Sequence, residues 1–537
     1  MTFATFRGLP SPLPAYGILV SMKRSSLTPF AFTAIALFCG ACGAEVPAGD
    51  HAPRELSQAA LSTAEYAQRE YRGQIIDSLA QLVSFQTVHR PGTPNQENPE
   101  FLKMTAFLKE KAAELGLDFQ DHGAVVVIGL GNSKDKLGLV THGDVQPADA
   151  SKWPPGGPFR MDRESEPGRL IGRGTEDDKG PIAIALYAMR ALADQGLPLT
   201  RRIELIISYT EESDWNPMVA FLRDYDAPQL NIVLDSKYPV VSAEKGYCVI
   251  RLALPLANAV PEEGQPFLSS FSGGSFVSQV PEDARALIRN AGEDLKDRLE
   301  QMAALDTEVQ YGFEGSGDQL AVSALGKSAH SSEPEAGVNA LTHLAALLGK
   351  ADLGRGTSGL YVEFINQYVG TGYYAEEFGD IAYSHDFMGP LTLSLSTLEE
   401  KDGQHILSIN LRRPAGKSRG RLEGEIRRLI EDWKIKNRLP ELTLELSVGN
   451  PHLIEGAPHV PMLLGVFSHY TGMENPQALS SGGGTHARLL PNGVSFGPHM
   501  PGRPYTGHTE HEYLSLTELD LDIQMYTAML VELAASK

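Results

Sequence analysis

The sequence predicts an α/β fold, a doubly wound sheet with an α+β domain inserted into it. Three observations carry this. Short apolar runs alternate with amphipathic helices over residues 63–246. After Gly246 the pattern changes to alternating strands and Gly-rich turns. Near residue 450 the first pattern returns, as it does when one domain interrupts another. The expected organisation is a leader over 1–44, a tether over 45–62, a catalytic domain from 63–246 plus 450–537, and an inserted domain over 247–449.

The chain has 537 residues, 42% hydrophobic and 21% charged, ordinary for a folded protein with more than one core. Lys plus Arg number 46 against 67 Asp plus Glu, a formal charge of −21. Such an acidic surface argues against nucleic acid or anionic lipid as the main partner.

Taken from the N-terminus, Lys23 and Arg24 precede an apolar run, Leu27 to Phe38, too short to span a bilayer. This reads as an export leader, with Met22 as a candidate true start. Gly40-Ala41-Cys42-Gly43 resembles a bacterial lipobox, although Cys39 stands where a branched apolar residue is usual. A lipid anchor to the membrane through Cys42, plain secretion and a non-functional leader all stay open, and the expected location is the cell envelope or periplasm. With the leader removed, Cys248 stands alone, so no intrachain disulfide is expected.

Tyr71, Ile75, Ile76, Leu79, Leu82 and Val83 recur at helical spacing, and Phe101 to Leu115 forms a second amphipathic helix ended by Gly116. Val125–Ile128, Leu137–Thr141, Ile203–Tyr209 and Leu230–Leu234 read as strands, with a helix over Pro181–Gln195 and another opening at Asn216-Pro217. In the insert, helices are expected near Pro281–Ala303, Val338–Lys350 and Arg421–Lys436, consistent with two similar βαβ-type modules in a row. A helix from Pro461, a Gly-rich turn at Ser481–Gly484, a strand at Val494–Phe496 and a helix from Thr517 complete the chain.

The chemistry gathers at strand ends. Leu137–Thr141 delivers His142-Gly143-Asp144, Ile203–Tyr209 delivers Thr210-Glu211-Glu212, and Leu230–Leu234 delivers Asp235. Ligands bind at the carboxyl ends of strands in open α/β sheets. Glu176-Asp177-Asp178 precedes a helix, and His508-Thr509-Glu510-His511 follows the last strand. Each cluster alone reads equally well as a turn, a solvated face or a helix cap. Together they are a metal site by type, since crowded carboxylates require cations or protons.

Thr141-His142-Gly143-Asp144-Val145-Gln146-Pro147 resembles the His-x-Asp-Val-x-Pro motif of the M20 metallopeptidases. Gly172 to Pro181, Tyr209 to Ser213, Asp235 to Val240, Gly482 to Arg488 and Phe496-Gly497 to His508 resemble, in order, further segments of their PepV-like dipeptidases. The resemblance runs from about Tyr71 to the C-terminus. It implies a zinc-exopeptidase-like catalytic domain with a doubled ferredoxin-like lid. It also implies two divalent metal ions, zinc with manganese or cobalt as alternatives. Asp177 would bridge them, His142 and Asp235 would complete one site, and Glu212 and His508 the other. Glu211 would be the general base for the attacking water, and Asp144 would orient His142.

In the insert, Gly326 to Pro334 resembles the family turn whose His, here His330, stabilises the oxyanion. Asn410-Leu411-Arg412 resembles the strand whose Arg binds the substrate carboxylate, and Gly483 and Gly484 would let backbone amides approach the substrate. A doubled lid implies an active monomer acting on small peptides. The same scaffold also serves amidohydrolases of N-acyl or N-carbamoyl amino acids, the alternative reading. Thr210, Lys237 and Ser278 depart from the family pattern, and His508 is preferred over His511 because Thr506-Gly507-His508 matches the family's Thr-x-His.

Overall fold

The computed structural model describes residues 55–256, 264–316, 318–354 and 356–535. The leader, Met22 and Cys42 lie outside the described residues, as does the tether up to residue 54. No helix among the described residues is long and apolar enough to cross a membrane. The last residues assigned to the tether are helical. A helix spans Gln58–Ser84, the Ser57 hydroxyl caps it by accepting from the Ala60 amide, and Ala60 and Ala64 are fully buried. A stretch rich in alanine and polar residues reads as a linker by composition, yet it buries one face like any amphipathic helix.

The first sheet runs in the order Asp118–Asp121, Val125–Leu130, Arg202–Ser208, Lys136–His142, Leu230–Val233, Gly493–Ser495, Val241–Glu244, His452–Leu453. Its centre is parallel: Arg202–Ser208, Lys136–His142, Leu230–Val233 and Gly493–Ser495 all point the same way. The flanks are not, because Val125–Leu130 pairs antiparallel with Arg202–Ser208, and Val241–Glu244 antiparallel with Gly493–Ser495. The expected parallel sheet is therefore a parallel centre with mixed edges.

Successive side chains of these strands serve opposite faces. Val126, Ile128, Leu139 and Leu205 enter a large core under the helices Gln58–Ser84, Pro99–Glu114, Lys179–Asp194, Val460–Thr471 and Leu516–Ala534. Val125, Val127, Val140 and Ile206 enter a small one with Met218 of the helix Asn216–Asp224. Both faces are covered, so the sheet's open edge is the row of strand ends, where polar groups are tolerated.

The second sheet is antiparallel throughout, ordered Gln310–Ser316, Gln319–Leu325, Asp283–Arg289, Phe267–Gly273, Thr392–Lys401, Gln404–Arg413, Gly246–Pro255, Thr443–Val448. Its helices share a separate core containing Leu295, Leu344, Tyr361 and Trp433. Two ferredoxin-like halves lie side by side, but they do not follow each other in a row. Gly246–Pro255 begins one half, and its remaining strands come only after the other half, 267–348, has been completed. The expected helix near Pro281–Ala303 is a strand, Asp283–Arg289, followed by a helix over Gly292–Ala303. Alternate residues Ala284, Ala286 and Ile288 are buried in that strand, a period of two that its helix-forming residues obscure.

Candidate metal centre

The strands Arg202–Ser208, Lys136–His142 and Leu230–Val233 are neighbours and end side by side. Their ends therefore bring Glu211 and Glu212, His142, and Asp235 to one edge. Asp177 arrives from a buried turn before the helix Lys179–Asp194, across a cis Asp177–Asp178 peptide, and His508 from a loop near the C-terminus.

These side chains form two groups that could each hold a metal ion: His142, Asp177, Asp235 and Asp177, Glu212, His508. His142 Nε2 lies 2.8 Å from Asp177 Oδ1 and 3.8 Å from Asp235 Oδ2. His508 Nε2 lies 3.0 Å from Asp177 Oδ2 and 2.7 Å from Glu212 Oε1. Asp177 thus offers one oxygen to each group. His511 belongs to neither group.

The electrostatics fit a divalent cation in each group. Burial alone would lower both imidazoles, but the nearby Asp144 and Asp177 carboxylates push His142 well up, and Glu212 and Asp177 do the same to His508. Burial would raise Asp177, but His142 and His508 hold it well below the usual carboxylate range. Burial, then the charges of Asp177 and Glu212, push Asp235 up, and burial and Asp235 push Glu211 up. Positive charge is what the cluster demands, and protons supply it where no cation does. The Asp235 and Glu211 side chains make no hydrogen bond among the described residues, although both lie in crowded surroundings. Acceptor-only groups so placed suit a cation or a reacting proton.

His142 Nδ1 donates to the Asp144 backbone carbonyl at 3.0 Å, which leaves the Nε2 lone pair for a metal. The Asp144 carboxylate is 3.6 Å from Nδ1, too far for a good hydrogen bond. Its two oxygens instead accept from the amides of Glu211 at 3.1 Å and Glu212 at 3.0 Å. Asp144 therefore shapes the Glu-Glu turn with its side chain and orients His142 with its backbone. Thr210 is buried, and its hydroxyl has no hydrogen-bond partner among the described residues.

The region between residues 247 and 449 contributes further residues. His330 sits on a short strand, Ala329–His330, paired with Gln279–Val280, and its Nδ1 is 2.6 Å from Ser332 Oγ. The residue is partly open to solvent, yet desolvation of the ring and the charges of Arg412 and His508 push it down to about 4. Arg412 is buried, donates to Asn410 Oδ1 at 3.0 Å and the Gly482 carbonyl at 3.2 Å, and lies over the Tyr247 ring. It has no carboxylate partner among the described residues, and desolvation pushes it down to about 10. Lys237 forms an ion pair with Glu333 beside the His330 turn.

Among the glycines, Gly482 is the one pressed against the His330 turn, since a Cβ there would fall 2.6 Å from the Ser332 carbonyl. Gly484 makes room for Arg488, whose Nη2 would lie 2.8 Å from an added Cβ, whereas Gly483 has only Ser481 Oγ nearby at 3.5 Å.

Several residues of the site escaped the sequence reading. Glu512 is fully buried, accepts from the amides of Glu176 and Asp177, and pairs with Arg173 at 2.8 Å. Glu176 accepts from the Thr506 amide and hydroxyl, and also from Arg503. Gln146 donates to Glu212 Oε2 at 2.9 Å. Tyr505 donates to Asp177 Oδ2, and burial and the Asp177 charge keep the phenol protonated. Glu176, Gln146 and Tyr505 lay inside quoted motifs without a role, and Glu512 follows the His508 motif. A third group, Asp306, Glu308 and His343, lies in the second sheet's region, with Asp306 Oδ2 accepting from both His343 and Tyr311.

Residues 138–532 match the family described as Peptidase family M20/M25/M40, and the chain belongs to it. It is therefore a hydrolase. It is 30% identical over 444 residues to the Beta-Ala-Xaa dipeptidase of Lactobacillus delbrueckii subsp. lactis, covering 80% of this chain and 88% of that one. The fold is that of human carnosine dipeptidase 1, with a TM-score of 0.53 at 15% identity over 89% of this chain and 99% of that one. It is also that of the di-peptidase Dug1p of Saccharomyces cerevisiae, with a TM-score of 0.52 at 14% identity over 88% and 98%.

Proposed function

We propose that the protein is a metal-dependent dipeptidase, hydrolysing the peptide bond of short peptides that carry a free C-terminal carboxylate. The observation that carries this reading is Arg412, a buried guanidinium without a carboxylate partner among the described residues, beside His330 and the Gly482 turn. A planar fork of donors so placed recognises a carboxylate with both oxygens.

His142, Asp177 and Asp235 would hold one divalent ion, and Asp177, Glu212 and His508 a second. Zinc is the first candidate, with manganese or cobalt as alternatives. When bound, such ions lower the pKa of water and polarise the scissile carbonyl. Glu211, whose carboxylate is free of hydrogen bonds among the described residues, takes the proton of the attacking water and delivers it to the leaving amine. His330, neutral at physiological pH, donates to the carbonyl oxygen as charge develops there. Arg412 fixes the C-terminal carboxylate and so sets the distance from that end to the scissile bond.

His330 lies close enough to His508 of its own chain to feel its charge, which supports an active monomer. The leader sequence supports export to the cell envelope, with Cys42 the residue that would carry a lipid. The named dipeptidase relative favours peptides over N-acyl amino acids and makes β-alanyl dipeptides first substrates to try.

The test is hydrolysis of a panel of free dipeptides, their C-terminal amides and N-acetyl amino acids by the metal-loaded protein. Free dipeptides are expected to be cleaved, and their amides about 10–100-fold less efficiently, as the loss of a charged hydrogen bond implies. Cleavage of N-acetyl amino acids but not dipeptides would reverse the choice in favour of an amidohydrolase. Tight peptide binding without turnover would contradict both.

A further inference from the structure

Tyr505 has no part in the reaction described above. Its residue is 46% exposed, yet the hydroxyl turns inward and donates to Asp177 Oδ2. That oxygen is also the one facing His508 Nε2 at 3.0 Å. The loop on either side of Tyr505 is pinned to the residue next to Asp177. Arg503 bonds Glu176 from one side, and the Thr506 amide at 3.1 Å and hydroxyl at 2.6 Å bond it from the other. The phenol ring meets the rings of His499 and His508 edge-on, with centroids 5.5 Å and 6.2 Å away.

Gly507 adds a second, independent observation. A Cβ at that position would fall 2.1 Å from the Tyr505 hydroxyl and 2.3 Å from Cζ. The glycine between Thr506 and the ligand His508 is thus the space in which the phenol lies. A larger residue there would expel the ring from Asp177.

From these contacts we infer that Tyr505 is a positioning residue for the shared carboxylate, holding Asp177 Oδ2 toward the His508–Glu212 side. The inference rests on the two-metal reading of the site. An aspartate that serves two ligand groups must aim its oxygens at two separate points, and rotation about Cβ–Cγ would spoil both. The first oxygen faces His142 Nε2 at 2.8 Å, which a bound metal would claim, whereas the Tyr505 hydroxyl donates to the second with or without a metal. Groups that orient a ligand in this way change metal affinity without touching the metal.

The experiment is titration of the metal-stripped full chain with Co²⁺, followed by calorimetry and by visible absorption, for the wild type, Tyr505→Phe and Gly507→Ala. The wild type is expected to bind two Co²⁺. Tyr505→Phe should keep its circular dichroism and its tighter Co²⁺, and bind the weaker one about 10–100-fold less well, with an altered visible band. Activity lost at low Co²⁺ should return at saturating Co²⁺, which would not happen if the phenol contacted only substrate. Gly507→Ala, which keeps the phenol and displaces it, should weaken the same Co²⁺. Two Co²⁺ bound by Tyr505→Phe with wild-type affinity and spectrum would overturn the inference alone. A wild type that takes up fewer than two would overturn the two-metal reading and the inference with it.

Discussion

The two candidate metal-ligand groups share Asp177 and are otherwise built on opposite plans. His142 ends a central strand and is 1% exposed, and Asp235 follows the neighbouring strand. The partners of His142 belong to the same core, namely the Asp144 carbonyl at its ring and the Asp178 carboxylate at its amide. Glu212 lies in a turn, and His508 sits in a loop with a side chain 43% exposed and a φ of 65°, a left-handed conformation uncommon for a side chain of this size. One group inherits its geometry from the sheet. The other must be braced by Gln146, Tyr505, Thr506 and Glu176. Rigid strand ends place ligands without help, whereas loops require supporting contacts.

This difference predicts a graded series. Asp177→Asn removes a ligand from both groups and is expected to lower kcat/KM by more than ~10⁴-fold, beyond what loss of one general base costs. His142→Ala should weaken the tighter metal and also destabilise the fold by about 1–3 kcal/mol, because it takes the imidazole away from buried Asp177. His508→Ala should weaken the other metal and leave chemical denaturation within about 0.5 kcal/mol of wild type, as for a surface change. Equal losses of stability in the two histidine variants would break the comparison.

The smallest effect concerns pH. His330 falls to about 4 in the folded protein against an unperturbed value of 6.5. The folded state therefore binds fewer protons there between those values, so the His330 contribution to stability is present above 6.5 and is lost as pH falls toward 4. Its ring stays neutral through the working range. His330→Gln should lower kcat without moving an acid limb of kcat/KM that lies above about pH 5. Movement of that limb would place the titration on His330 and away from the ligand groups.

The sheet-built group was the more legible one in the sequence. His142 and Asp235 each follow an apolar run, and strand ends are where an α/β sheet exposes polar chemistry. In the loop-built group Glu212 also follows an apolar run, but His508 was legible only through the ordered motifs, because nothing local distinguishes it from His511. Its braces lay inside the same motifs, but their contacts were not legible. Tyr505 meets Asp177 across 328 residues and Thr506 meets Glu176 across 330, and such pairings leave no mark on local periodicity. The lid shows the same limit. Asp283–Arg289 is built of residues that also suit a helix, and strand order in a sheet is independent of order in the chain, so the nesting of one ferredoxin-like half inside the other could not be read from sequence.

The central claim is that one carboxylate, Asp177, joins two unequal metal-ligand groups into a single hydrolytic centre. The measurement that tests it most directly is the initial rate of cleavage of a free dipeptide as the metal-stripped full chain is titrated with Zn²⁺. The account predicts two binding steps of different affinity, with activity rising chiefly in the second. Full activity at one equivalent, or activity in the metal-stripped protein, would contradict it.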